Sequence, residues 1–246
     1  PGFKFTVARS VYKSILKFTA EMHDADYVVQ PLPVTRFAIE ENGKNAFRLN
    51  WQGVIDPQEP SARPQGYIVY TRLGYGGWDN GTYVKGNSYT FQAEPGLVYS
   101  FKVTAVNKGG ESFPSEILSA YHAPHSQGTI LIVNAFDRTS GPSTIETPTL
   151  QGFDMIRDPG LPYINTTSYC GPQLAFDREK IGGGEPDGLG YSSSEWEGKL
   201  IAGNTFDYPF VHGKAIQAAG GYSFVSCSDE AIEQSLIRME DYPIVD

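Results

Sequence analysis

Between Val98 and Asn107 apolar and polar side chains take turns. Tyr99, Phe101, Val103 and Ala105 fall on one side, and Ser100, Lys102 and Thr104 on the other. A period of two predicts a strand with one face buried and one face wet. Pro95-Gly96 precedes it as a turn, and Asn107-Lys-Gly-Gly110 supplies residues that tolerate the positive φ of a tight reversal. The same alternation recurs in Phe47, Leu49 and Trp51 with Arg48 and Asn50 between them, which predicts an earlier strand with a core tryptophan. Tyr67 to Arg72 and Ser88 to Gln92 read as further strands. Pro57 to Pro64 is a proline-rich loop, and Gly74, Gly76, Gly77 and Asp79-Asn-Gly81 mark turns around Tyr83-Val84. Short strands at regular spacing with turn residues between them predict an all-β sandwich from about Leu32 to Tyr121.

The pattern differs on either side of that region. From Phe5 to Glu21 the period is helical: Ala8, Val11, Ile15 and Phe18 share a face, with Lys4, Lys13 and Lys17 largely off it. A helix this short needs a surface for its stripe, supplied either by the sandwich or by an upstream domain. After a linker at 122–128, Ile130 to Val133 is continuously apolar, as in a strand buried on both faces of a parallel sheet. Tyr208 to Ala219 reads as a helix ending at Gly220-Gly221, and Tyr222 to Cys227 as a strand. Ser228 to Arg238 reads as a helix with Ser228 as N-cap, and Tyr242 to Val245 as a third strand. Strand, helix, strand, helix, strand predicts an α/β sheet, incomplete within this chain. The expected organisation is therefore multidomain: a single helix and linker (1–31), an all-β sandwich (32–121), a linker (122–128) and an α/β domain (129–246).

Composition narrows the partners. The 246 residues carry a net charge of −9 with scattered basic residues, which argues against nucleic acid. No apolar run is long enough to span a membrane. The opening Pro1 and the strand-like Pro243-Ile-Val-Asp246 give the expectation of a fragment of a longer polypeptide. Cys170 and Cys227 form one disulfide or remain two buried thiols. His23 has no second metal ligand at usable spacing and reads as an exposed linker residue. Glu185 and Asp187, in the glycine-rich part of the long irregular stretch from Thr139 to Asn204, lack the alternating ligands of a calcium loop. Asn80-Gly-Thr82 and Asn165-Thr-Thr167 are glycosylation sequons.

Three resemblances add expectations. Tyr99 two residues before Phe101 and just after Pro-Gly, then Ala105-Val-Asn107, glycine and Ser112-Phe-Pro-Ser115, resembles the last hairpin of a fibronectin type III module with its tyrosine corner. That resemblance implies a spacer or adhesive unit. Ala8-Arg-Ser-Val-Tyr-Lys-Ser-Ile15 resembles the closing helix of zinc-dependent N-acetylmuramoyl-L-alanine amidases. It implies an upstream catalytic domain holding the zinc, with no cofactor in this chain. Ile132-Val-Asn-Ala-Phe-Asp-Arg138, with Ser140-Gly-Pro142, Asp207 and His212-Gly213, is similar to a region of secreted Bacteroidetes proteins labelled xanthan lyase-like or amidase. It implies a glycan or peptidoglycan partner and a secreted, periplasmic or outer-surface location.

In open α/β sheets ligands gather beyond the carboxyl ends of the strands. Asn134, Asp137 and Arg138 follow the first such strand, and Asp207 and His212 bracket the start of the helix before the second. These five are the candidate ligand-binding residues. Arg138 suits a carboxylate or a sugar hydroxyl, and histidine is the side chain whose ordinary titration lies near neutral pH. Alternatively, they only brace the long loop. Ser226 and Cys227 end the second strand, but no Gly-x-Ser-x-Gly elbow accompanies them. The leading expectation is a piece of a cell-envelope or polysaccharide-active hydrolase whose α/β part binds or processes glycan. Two alternatives stand beside it: a non-enzymatic adhesion or scaffold protein, and a hydrolase or lyase built on the α/β part through Asp137, His212 and Cys227.

Overall fold

A computed structural model describes residues 2–135, 143–146, 151–154 and 208–246. The helical period at the start of the chain becomes α1 (Gly2–Met22). Asp24 at φ 48° takes the left-handed position just past its end, and the Ala25 amide returns to the Ala20 carbonyl at 2.9 Å. Among the described side chains of α1, Ala20 is the buried one, whereas Val11, Ile15 and Phe18 are exposed. At Ile15 and Phe18, therefore, the apolar stripe is not packed on the sandwich. Lys13 reaches Glu59 at 3.8 Å, and the Tyr27 hydroxyl donates to the same carboxylate at 3.0 Å.

The sandwich follows as β1 (Thr35–Glu41), β2 (Ala46–Gln52), β3 (Gly66–Leu73), β4 (Thr82–Val84), β5 (Ser88–Gln92), β6 (Val98–Asn107), β7 (Gly110–Glu111) and β8 (Leu118–Tyr121). One layer runs β1-β2-β5 and the other β4-β3-β6-β8, all antiparallel. Phe37, Phe47, Leu49, Trp51, Val69, Phe101, Val103 and Leu118 fill the space between them. The expected core tryptophan is there, 3 % exposed, with its ring edge-on to Tyr67 at 5.4 Å. The Tyr99 hydroxyl accepts the Glu94 amide at 3.2 Å, which closes the tyrosine corner.

Ser112 and Ser115 explain the Ser-x-Pro-Ser spacing. Pro114 has no amide to offer β6. Instead the Ser112 and Ser115 hydroxyls accept from the Ala105 and Val103 amides at 2.9 and 3.0 Å. Their own amides donate back to the same two residues at 2.8 Å each. Four hydrogen bonds thereby hold a stretch that a regular ladder cannot.

Beyond the sandwich come β9 (Thr129–Asn134), β10 (Ser143–Glu146), β11 (Gln151–Asp154), α2 (Tyr208–Ala219), β12 (Ser223–Ser228), α3 (Asp229–Glu233) and β13 (Ile244–Val245). The chain divides into two compact units, Lys13–Phe136 with Asp207–Asp246, and Pro1–Tyr12 with Asp137–Phe206. In the latter, β10 and β11 form an antiparallel pair with Ser143 opposite Asp154. In the former, β12 lies parallel to β9 from Ser223 opposite Thr129 to Ser228 opposite Asn134, and β13 is parallel to the other edge of β9.

The second edge of β12 meets both layers of the sandwich. Phe224 pairs with Tyr121 of β8, and Cys227 pairs with Ala38 of β1. Alternation along β12 then splits its side chains. Val225 and Cys227 join Leu131, Ala231 and Ile237 in an extension of the sandwich core. Phe224 packs on the opposite face with Val98, Tyr121, Ile130, Ile132 and Phe210. A Cβ at Gly213 would collide with the Phe224 ring, so glycine lets α2 lie directly on that cluster.

A row of buried hydroxyls crosses the same strands. The Arg72 guanidinium donates to Ser100 at 3.1 Å, and the Ser100 and Ser119 hydroxyls are 2.9 Å apart. Ser119 and Ser226 are joined by two further bonds, amide to hydroxyl at 2.8 Å and hydroxyl to carbonyl at 2.7 Å. Arg72 also lies 5.1 Å from the Trp78 ring and 4.9 Å from the Phe210 ring, linking α2 to β3.

Two expectations need correction. The last helix is short: α3 stops at Glu233, where a turn with Ser235 at φ 56° replaces the continuation to Arg238. Ser228 has the extended backbone of an N-cap, but its hydroxyl makes no capping bond.

His122 opens the connection from β8 to β9. It stacks on Phe47 at 4.1 Å and lies 3.3 Å from Glu41 through Nδ1 and 3.4 Å from the Ala46 carbonyl through Nε2. The hydrogen bond from His122 holds the Glu41 carboxyl below its ordinary range against the opposing effect of burial, with a further bond from Thr129.

Candidate ligand site at the carboxyl ends of the parallel strands

The apolar run Ile130–Val133 places β9 between β12 and β13, with all three strands parallel. Their carboxyl ends therefore lie at one edge. Chain order 9, 12, 13 against spatial order 13, 9, 12 means that the chain passes from β9 to β12 on one side and returns past β9 to β13 on the other, a reversal of strand order of the kind that opens a crevice in such sheets. α2 packs against β9 and β8, and α3 against β1 and β12.

Asn134 closes β9 and is 4 % exposed, opposite Ser228 at the end of β12. The Asp246 amide donates to the Leu131 carbonyl at 2.9 Å, and its carbonyl accepts from the Val133 amide at 2.8 Å. Those bonds place Asp246 beside Ile132. Its carboxylate meets His212 Nδ1 at 2.6 Å, and both side chains are about half exposed. Of the five candidate residues, Asn134 and His212 thus reach the same strand end, His212 through Asp246. Asp137, Arg138 and Asp207 lie outside the described residues.

Sequence reasoning missed Asp246, because a single acidic residue three positions past Pro243 carries no periodic signal. It also missed the buried Ser228 hydroxyl, which lacks a hydrogen-bond partner. Ser226 and Cys227, near the end of β12, do not face this edge freely. Ser226 is bonded to Ser119 of β8, and Cys227 is fully buried in the core with a free thiol. Burial, with the Glu116 and Asp229 charges adding to it, pushes that thiol up to about 12. A thiol so disfavoured as thiolate is a poor nucleophile. Among the described residues no group of three or more His, Cys, Asp or Glu side chains could hold a metal, and no helix is long and apolar enough to cross a membrane.

The chain matches the family described as fibronectin type III domain over residues 32–121. Among solved structures it is similar to the twitchin kinase region from C. elegans, with 26% identity over 38% of this chain and 17% of that one, at a TM-score of 0.33. It is similar to titin kinase with its flanking domains at 23% identity, covering 37% of this chain and 16% of that one, at a TM-score of 0.33. A fourth FNIII domain of a human protein aligns at 20% identity over 38% of this chain and 80% of that domain, at a TM-score of 0.34. The chain spans less than a fifth of the twitchin and titin structures that it matches. No curated protein matches the sequence. The two antiparallel layers, the tyrosine corner and the family match agree, and residues 32–121 form a fibronectin type III domain.

Proposed function

We propose that this chain belongs to a secreted cell-envelope or polysaccharide-active protein. In it the fibronectin type III domain is a spacer that carries and orients a glycan-binding α/β part at residues 129–246. The observation behind this reading is the position of β12, bonded to β8 and to β1 along one edge and to β9 along the other. A ligand-binding edge built on β9 and β13 is thereby tied to the spacer through backbone and serine hydrogen bonds rather than a flexible tether. Binding is preferred to hydrolysis through Cys227, since burial removes that nucleophile.

The exposed Val11, Ile15 and Phe18 of α1 support a further part of the reading, that this helix serves an amidase-like neighbouring domain which holds the zinc. A zinc-ligand set encoded upstream in the parent gene is the check on that part. For the binding role the test is cosedimentation of the purified chain with peptidoglycan sacculi, together with calorimetry against chitotetraose. Saturable binding is expected. Absence of binding to either glycan would leave the domain as a scaffold without a carbohydrate role.

A further inference from the structure

His212 has one nitrogen committed. Asp246 lies at 2.6 Å from Nδ1, and a carboxylate only accepts hydrogen bonds, so neutral His212 carries its proton on Nδ1. Nε2 is then an acceptor on a half-exposed ring.

Three strand ends converge on the same side. Phe224 packs beneath α2, and side chains two and four residues on share its face, which puts Ser228 there. Ile130 and Ile132 pack in that cluster too, so Asn134 follows them, and Asp246 meets a side chain of α2 itself. The Ser228 hydroxyl is the independent sign of a ligand. It is 1 % exposed and has no hydrogen-bond partner, a costly state for a buried polar group.

We propose that the α2 side of this carboxyl edge is a saccharide site in which His212 Nε2 accepts a ligand hydroxyl, Asp246 is the positioning residue for His212, and Ser228 supplies a second polar group. The inference rests on the glycan-binding reading above and gives it an address. Hydroxyl donors suit the site because Nε2 accepts, Asp246 discourages an anionic group, and a serine hydroxyl either donates or accepts. No bond to the ligand is made or broken.

The test is nitrogen-detected NMR of His212 in the whole chain, at an alkaline pH at which the ring nitrogens themselves report the neutral form, with chitotetraose as the probe. The free protein should show the Nδ1–H tautomer, and Asp246→Ala should release it to a mixture. Adding chitotetraose should shift Nε2 in the parent, while Asp246→Ala and Ser228→Ala should each weaken the affinity about tenfold, the value of one good hydrogen bond. Far-ultraviolet circular dichroism of each variant shows whether it is folded, and a His212→Gln variant gives a second reading of the acceptor. An Nε2–H tautomer in the free parent overturns the positioning role whatever the ligand does. Chitotetraose binding that leaves His212 unmoved overturns the site while keeping glycan binding. No binding at saturating sugar overturns both.

Discussion

Ser119 of β8 and Ser226 of β12 are bonded to each other twice, the Ser119 amide to the Ser226 hydroxyl at 2.8 Å and that hydroxyl to the Ser119 carbonyl at 2.7 Å. A side chain here does what a strand's backbone usually does. β8 and β12 share only the Phe224–Tyr121 pairing, so the serine carries much of their junction. Ser226→Ala leaves a buried amide and carbonyl of β8 unmatched and should cost about 1–3 kcal/mol, read from the denaturant midpoint at unchanged slope. Unchanged stability would show that water or a shifted strand replaces the hydroxyl.

Trp51→Ala should destabilise the protein by roughly 3–5 kcal/mol, since it empties a buried aromatic site in the middle of the core. Its indole nitrogen has no hydrogen-bond partner, so Trp51→Phe should cost clearly less than Trp51→Ala. Chemical denaturation of the pair checks the ranking.

Tyr99→Phe removes the acceptor of the Glu94 amide and little packing, and should cost on the order of 1 kcal/mol. Amide exchange at Glu94 should quicken in this variant while that at Val103 stays slow.

Acid stability should depend on Glu41. Its folded carboxyl lies below the ordinary range because His122 hydrogen-bonds it. A lowered folded value means the contribution is present above the unfolded pKa and is lost as pH falls through the folded one. Melting temperature followed from about pH 6 to pH 3 should therefore drop less steeply in Glu41→Gln than in the parent. Equal slopes would show that the Glu41–His122 pair does not contribute to acid stability.

Cys227 should resist alkylation at about pH 8 in the native protein and react once the chain is unfolded, since burial holds the thiol up to about 12. Peptide mapping separates it from Cys170. Rapid native labelling of Cys227 would mean that the β12 core opens.

Much of the sandwich was legible because its strands follow period two and its turns are spelled by glycine, proline and asparagine. β1 was not. Its Phe37-Ala38-Ile39 run is buried throughout instead of alternating, because β12 and α3 extend the core over Ala38, which joins a cluster with Cys227 and Ala231. Arg36 at φ 56° and a register shift between Thr35 and Ala38 blur its start. The α1 stripe was visible, but periodicity cannot say which face meets the sandwich, and Ala20 rather than Phe18 does so. At the candidate site, the apolar run of β9 pointed to Asn134, and the helix start pointed to His212. Asp246 and Ser228 join them through strand order and register, which are long-range facts that no local pattern carries.

β12 and the sandwich form one hydrogen-bonded body. Native-state hydrogen exchange on the whole chain, comparing the amides of Val225 and Cys227 with those of Phe101 and Val103, tests it most directly. Both sets should exchange through the same global opening, with equal free energies and equal dependence on denaturant. Exchange of the β12 amides through a separate, lower-energy opening while the β6 amides stay protected would contradict it.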